Sequence, residues 1–264
     1  NVKFLLSEQP SYCLEFAKKL EQFNIERKAA VDSITQKADR KIEDTPSLID
    51  EPALVLSDQG WNPGVLGIAA GRLAEKFNKP VILLNINGEA ASGSVRSIRG
   101  IDITAAIREN DKCLTRYGGH AMAAGLSLPV NNIDIFSSDL MKSVKMQSDN
   151  LPQEKELIID HVIRINEVGD QLLNELEQLS PFGQENPSLI FMSKNLEILS
   201  TNPLGTSGKH TRIIVQDVAG NTSSLINWNS NFQPIPCDRI DIAFAIQPND
   251  FRGKSSFYLK YIDH

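Results

Sequence analysis

Residues 53–86, ALVLSDQGWNPGVLGIAAGRLAEKFNKPVILLNI, decide the fold. The run ALVLSD at 53–58 is short and apolar and ends in Asp58-Gln59-Gly60, as a buried strand entering a turn does. Across 64–78, Val65, Ile68, Ala69, Leu73 and Phe77 recur at helical spacing and share one face. Pro80 stops that helix, and VILLNI at 81–86 is a second buried strand. A strand–helix–strand unit predicts a sheet that is at least partly parallel.

Upstream, residues 10–44 read as one long helix. Leu14, Ala17, Leu20, Val31, Ile34, Ala38 and Ile42 recur at spacings of three, four or their sums. Ser7 or Ser11 is a candidate cap, and Thr45-Pro46 ends the pattern. Such a helix either connects two domains or packs on the domain that follows. Downstream, Asn87-Gly88 signals a turn, 90–97 (AASGSVRS) a strand and 102–116 a helix. The small-residue run at 118–128 leads into another strand, and 132–147 forms a closing helix.

After residue 150 the pattern changes. A strand is predicted at 156–165 and an amphipathic helix at 166–179. Short strands follow at 189–199, 211–218, 222–229, 239–247 and 256–262, with turns such as Ala219-Gly220-Asn221 and Asn249-Asp250 between them. Five short strands so divided suggest a small β-barrel. The predicted organisation is a connecting helix (1–52), an α/β domain with a mixed, partly parallel sheet (53–149), and a small all-β barrel with an extra helix (150–264).

The 264 residues, 41% of them hydrophobic, can fill real cores. No stretch approaches the ~20 apolar residues that cross a bilayer, and no signal peptide opens the chain. Residue 1 is Asn, so the sequence is expected to be part of a longer one. Cys13, Cys113 and Cys237 are far apart and form no CxxC pair, which disfavours a zinc site and suits a reducing, cytoplasmic compartment. The net charge of -6 is uneven: residues 148–199 hold 3 basic and 10 acidic groups, a surplus of -7 that exceeds the total. The flanking regions leave room for a local anionic ligand, but a strongly basic DNA-coating protein is excluded.

Two runs carry candidate chemistry. In Gly118-Gly119-His120-Ala121-Met122-Ala123-Ala124-Gly125, adjacent glycines admit positive φ and close approach of a ligand to backbone N–H groups. Successive N–H groups in such a turn form a concave anion site, with the His120 ring beside it. A Gly-rich turn with a core histidine is the plainer reading of the same residues. In Ser92-Gly93-Ser94-Val95-Arg96-Ser97, strand alternation puts Ser92, Ser94 and Arg96 on one face, two hydroxyls beside a guanidinium. A solvent-facing polar strand would look the same.

The runs GWNPGVLGIAAGRL (60–73), SGSVRS (92–97) and GGHAMAAGL (118–126), in this order and spacing, resemble the DHH-associated domain of the DHH phosphoesterase superfamily. LSPFGQENPSLIF at 179–191 and the five-strand pattern narrow the resemblance to RecJ-type nucleases. Two departures stand out: Asn62 replaces a usual histidine, and Glu185 a frequent glycine. The resemblance implies an OB-fold for the barrel. It also implies a metal-dependent 5′–3′ exonuclease acting on single-stranded DNA in repair and recombination. It would place Ser92, Ser94, Arg96, Ser97, Gly118, Gly119 and His120 on the DNA phosphates, with His120 positioning the phosphate only. On the barrel, Lys209, Arg212, Trp228, Phe251, Arg252 and Lys254 are the DNA-binding candidates, with His210, Phe232 and Tyr258 beside them.

The family's two divalent metals, manganese or magnesium, belong to a domain bearing an Asp-His-His motif. None of His120, His161, His210 and His264 lies in such a motif. No metal or cofactor is therefore expected on these residues, and no nuclease activity from them alone. The expected partner is single-stranded DNA, with repair or replication proteins as a further contact, no membrane, and a monomeric state. Two other classes share the same features: a phosphodiesterase for short oligonucleotides or cyclic dinucleotides, and a non-catalytic scaffold for nucleic acid or protein.

Overall fold

A computed structural model describes residues 2–149, 156–183, 185–205, 208, 210–228, 239–249 and 256–263. The chain divides into two compact units, Asn1–Lys155 and Glu156–His264.

In the first unit a short helix α1 (Val2–Leu5) precedes α2 (Pro10–Asp44). Neither serine caps α2: Gln9 is the N-cap with Pro10 at the first helical position, and Ser7 Oγ instead accepts the Gln9 N–H at 3.2 Å. Thr45 ends the helix where expected. The apolar stripe splits in two. Val31, Ile34, Ala38 and Ile42 are buried, while Leu14 and Leu20 stay exposed because only the C-terminal half of α2 lies on the domain. There it packs on α3 (Leu66–Phe77), with Arg72–Asp32 and Lys76–Asp39 ion pairs of 2.7 Å at the edge. Exposed pairs of this kind contribute ~0–1 kcal/mol each, so apolar burial holds the helices together.

The sheet has strand order β1 (Leu54–Gln59), β2 (Val81–Asn87), β3 (Ala90–Arg96), β5 (Ala123–Pro129), β4 (Arg116–His120). Only β1 and β2 are parallel; the remaining pairs are antiparallel, which makes the sheet mixed. Strand alternation sorts its residues. Leu54, Leu56, Val81 and Leu83 pack under α2 and α3. Ile82, Leu84, Ala91, Val95, Ala124, Leu126 and Leu128 pack with α4 (Ile103–Glu109) and α5 (Ile133–Ser148) on the other side. The helix expected over 102–116 stops at Glu109, followed by a 3-10 turn at Asp111–Cys113. The residues beyond it are drawn into β4, where pairing with β5 outweighs local helix preference.

In the second unit β6 is only His161–Val162, much shorter than the strand expected at 156–165. A 3-10 turn at Ile165–Glu167 leads to α6 (Asp170–Glu177). Strands β7 (Phe191–Leu204), β8 (His210–Gln216), β9 (Thr222–Asn227), β10 (Ile240–Asn249) and β11 (Ser256–Asp263) then follow. The order β7-β8-β9-β11-β10 returns to β7, so five strands close into a barrel. Its β9–β11 pair is parallel. Closure leaves the barrel strands no free edge, and β6 adds to β7 from outside. The strand count predicts a small β-barrel, and the mixed OB-like form is the one the resemblance implies for it. Its core holds Phe191, Leu196, Ile198, Ile213, Val215, Leu225, Phe244 and Leu259, with Leu172, Leu173 and Leu176 of α6 against it. The PFG segment is tied by Asn186, whose amide donates to the Leu179 and Pro181 carbonyls at 2.8 and 3.1 Å.

Candidate nucleic-acid interface

The register of three strands builds a small grid. Directly opposed residues of antiparallel strands share a face. On one face, Arg96, Ala123 and His120 form one row, Ser94, Gly125 and Gly118 the next, and Ser92, Ser127 and Arg116 the third. With ~4.8 Å between strands, each row spans about 10 Å. This is the face that carries α3. The helix covers β2 and β3, while Gly118, His120 and Gly125 remain exposed. The two runs singled out in the sequence thus share a face, and Arg96 and His120 share a row.

The backbone at the glycines differs from the expectation. Gly118 and Gly119 are not a turn, and no nest of successive N–H groups forms there. Both lie in edge strand β4, paired with Gly125 and Ala124, and the reversal falls at Ala121-Met122. The glycines have other reasons to be there. A Cβ at Gly119, whose φ is +157°, would meet the Ala123 carbonyl oxygen at 2.3 Å and Ala124 Cα at 2.5 Å. Gly93 is equally constrained, its Cβ falling 2.1 Å from the Leu83 oxygen. At Gly118, however, a Cβ would meet nothing within 4 Å, and at Gly125 only the Gly93 oxygen at 3.7 Å. Glycine in a strand interior costs roughly 0.5–1 kcal/mol relative to alanine. Nothing among the described residues requires it at these two positions.

Arg96 is half-buried beneath α3. Its Nη1 donates to the Val95 carbonyl at 2.8 Å, and its guanidinium lies against Gly67, where a Cβ would sit 2.6 Å from Nη2. No carboxylate pairs with it among the described residues. The hairpin carrying His120 is pinned from below: the Thr104 hydroxyl donates to the His120 carbonyl at 2.7 Å, the Ile103 N–H to Ala121 at 3.0 Å, and the Ser97 N–H to Met122 at 2.9 Å. Ser97 itself is not on the face. It is buried, and its hydroxyl donates to the Ile101 carbonyl at 2.8 Å, so it shapes the loop after β3 and is not available to a phosphate. Asn62 caps the turn before α3, accepting the Gly64 N–H at 2.9 Å, a task asparagine performs well.

A cavity of about 410 Å³ opens over the second and third rows, bounded by Ser92, Ser94, Gly118 and the α3 entrance at Pro63 and Leu66. Arg96, Gly119 and His120 lie outside its lining. Of its lining, only Ser92, Ser94 and Gly118 were site candidates in the sequence; Arg116 and Ser127 are the polar side chains that reasoning missed. Period-two alternation from Gly118 would have reached Arg116. Its meeting with Ser127 is a matter of register, which a single sequence does not carry.

On the barrel, Arg212 is exposed on β8 and Trp228, just past β9, is 36% exposed. The Trp228 ring meets His210 edge-on at 4.7 Å and Tyr258 at 5.8 Å, and the Tyr258 hydroxyl donates to Gln247 Oε1 at 2.6 Å. These contacts fix the orientation of the indole. Lys209, Phe232, Phe251, Arg252 and Lys254 lie outside the described residues. Among the described residues no three His, Cys, Asp or Glu gather as metal ligands. Asp160, beside His161, accepts the Ile190 N–H at 2.7 Å. Among the described residues no helix is long and apolar enough to cross a membrane.

Residues 50–146 match the DHHA1 domain family and residues 159–263 the RecJ OB domain family. The chain is 29% identical over 261 residues to the single-stranded-DNA-specific exonuclease RecJ of Bacillus subtilis, covering 96% of this chain and 32% of that protein. The Haemophilus influenzae protein of the same name is 26% identical, with 98% and 47% covered. The chain thus spans a third to a half of the length of these relatives. Among solved structures, RecJ from Thermus thermophilus in complex with Mn2+ superposes with a TM-score of 0.74 at 23% identity, covering 98% of this chain and 37% of that one. The Mg2+ complex of the same protein gives 0.73 at 22% identity, with 99% and 39% covered.

Proposed function

Because the chain belongs to the RecJ-like family, carrying its DHHA1 and OB domains, we propose that it is the strand-holding part of a metal-dependent 5′–3′ single-stranded-DNA exonuclease in repair and recombination. The observation that carries this reading is the pair Gly118 and Gly125, exposed beside Ser94, Arg96 and His120: a Cβ at Gly118 would meet open space, and one at Gly125 only the Gly93 oxygen at contact distance. A glycine kept in a strand without an internal reason marks a place where another backbone comes close.

The Ser94 hydroxyl and the Arg96 guanidinium hold one phosphate, Arg supplying the forked donors that match its oxygens. His120 steadies the same phosphate from the edge strand and positions it. The backbone of Gly118 and Gly119 forms the floor. The two divalent metals of the family supply the chemistry that cleaves the phosphodiester. Among the described residues no cluster of donors would hold them; the role proposed for this chain is to hold the strand. On the barrel, Arg212 pairs with the backbone and Trp228 stacks a base, with little sequence preference. The working protein is a cytoplasmic monomer, and repair or replication proteins are its further partners.

The test is a titration of the whole chain with 3′-labelled oligothymidylate and with a duplex of equal length, at several salt concentrations. Single strands should bind more tightly, and affinity should fall as salt rises. Of the two tryptophans, Trp61 is buried, so quenching of indole fluorescence reports on Trp228 and should vanish in Trp228→Phe. Arg96→Ala and His120→Ala should each weaken binding. Equal affinity for both forms, or none, would overturn the reading.

A further inference from the structure

The bare face carries two arginines at opposite corners. Arg96 closes the first row and Arg116 the third. They are four residues apart along the strands and two strands apart across them. At about 3.4 Å per residue and 4.8 Å per strand, their Cα atoms stand roughly 17 Å apart. The Arg96 guanidinium is also drawn against Gly67. A phosphate seated at Ser94 and this guanidinium lies over the first two rows and leaves the Arg116 end of the face to another group.

The third row is equipped for a phosphate of its own. Ser127 stands directly across from Arg116, and Ser92 directly across from Ser127. None of these three side chains has a hydrogen-bond or ion-pair partner among the described residues. The row continues inward to Asn85 on β2, whose buried Oδ1 has no partner either. Ser92, Ser127 and Arg116 therefore reach the open face with their donors uncommitted to the protein. The cavity opens over this row, and at about 410 Å³ it exceeds what a lone anion needs and falls in the range of small-ligand sites.

We propose that Ser92, Ser127 and Arg116 form a second phosphate subsite, which takes another phosphodiester of the same strand held at Ser94 and Arg96. The assignment rests on the strand-holding role argued above and adds its length: the face reads a short oligonucleotide, not a single nucleotide. Arg116 binds the phosphate through its guanidinium fork, and the two serine hydroxyls donate from β5 and β3. Gly118 and Gly125 lie between the two subsites and leave room for the sugar that joins them.

The experiment compares two 3′-labelled probes, thymidine 5′-monophosphate, which has one phosphate, and a 5′-phosphorylated thymidine hexanucleotide, binding to the whole chain. Arg116→Ala should weaken the hexanucleotide about tenfold and lower its salt slope by roughly 0.7, while the mononucleotide keeps its wild-type affinity. Arg96→Ala should weaken both probes. Arg116 is exposed on an edge strand, so an unchanged thermal midpoint accompanies the expected result. Hexanucleotide binding that Arg116→Ala leaves untouched, with the same slope, overturns the second subsite alone. Equal loss on both probes overturns it too, since Arg116 then belongs to the first site. A wild-type chain that binds neither probe overturns the strand-holding role itself.

Discussion

Gly118→Ala separates ligand binding from folding. The added methyl projects from edge strand β4 into space with no protein atom within 4 Å. Replacing a strand glycine in a compatible conformation stabilises the fold by about 0.4–1 kcal/mol, chiefly by restricting the unfolded chain. For a unit of this size, that raises the thermal midpoint by roughly 1–4 °C. The same methyl occupies the floor on which the strand is proposed to lie, across Gly125 from Ser94 and one row from Arg116. A clash of one methylene in a fitted surface costs about 1–3 kcal/mol, which corresponds to a loss of affinity of roughly 5- to 150-fold. The assay pairs circular-dichroism melting with anisotropy of a 3′-labelled oligothymidylate. Gly119→Ala is the control, since its methyl would strike backbone atoms at 2.3 and 2.5 Å, and it should destabilise by about 1–3 kcal/mol. A Gly118→Ala protein that melts higher and still binds DNA like wild type would refute the argument. So would one that melts lower.

Two further outcomes follow from particular contacts. Gly67→Ala improves helix propensity in α3 by up to about 1 kcal/mol, yet its Cβ would lie 2.6 Å from Arg96 Nη2 and push the guanidinium aside. Stability should hold or rise while single-strand affinity falls toward that of Arg96→Ala; unchanged affinity in the titration would show that the orientation of Arg96 is irrelevant. In the barrel, burial, with the nearby Asp263 charge, pushes the Tyr261 phenol from 10.0 up to about 12. A raised folded pKa means the stabilisation is intact below the unfolded value near 10 and is lost as pH rises through 12. Urea midpoints of wild type should therefore drop more steeply than those of Tyr261→Phe across that window, and parallel curves would contradict this.

Much of the fold was legible because local signals agreed with the tertiary outcome. The 35-residue helix ends at Asp44, before Thr45-Pro46, as its sequence requires. The alternation in AASGSVR and the continuous apolar run VILLNI describe a half-covered and a fully covered strand, which is what β3 and β2 are. The misreadings occur where long-range pairing overrides local preference. Residues 110–116 contain nothing that forbids a helix, and β4 forms only because β5 returns beside it. Leu14 and Leu20 fit the helical stripe perfectly well, but a periodic pattern does not say how much of its length the neighbouring domain will cover.

The site shows the same division more sharply. Ser92, Ser94 and Arg96 could be placed on one face from alternation alone, since they belong to one strand. Gly118-Gly119 was misread as a turn because paired glycines ordinarily make one, and an edge strand tolerates them with bonding on one side only. What no local rule supplies is the register: Arg116 meets Ser127 through the β4–β5 hairpin, but Ser127 meets Ser92 only after the chain has passed through α4 and β4, 35 positions further on. A slip of one residue in either pair would turn Arg116 or Ser92 to the opposite face. The register is held elsewhere, by Gly93 against the Leu83 carbonyl and Gly119 against Ala123 and Ala124, where no larger residue fits. Gly93 and Gly119 thus restrict the alignment by the space they lack, and Gly118 and Gly125 on the open face leave room for the strand it is proposed to hold. The chemistry of the face depends on both pairs, which is why the order Gly-Gly-His matters more than its composition.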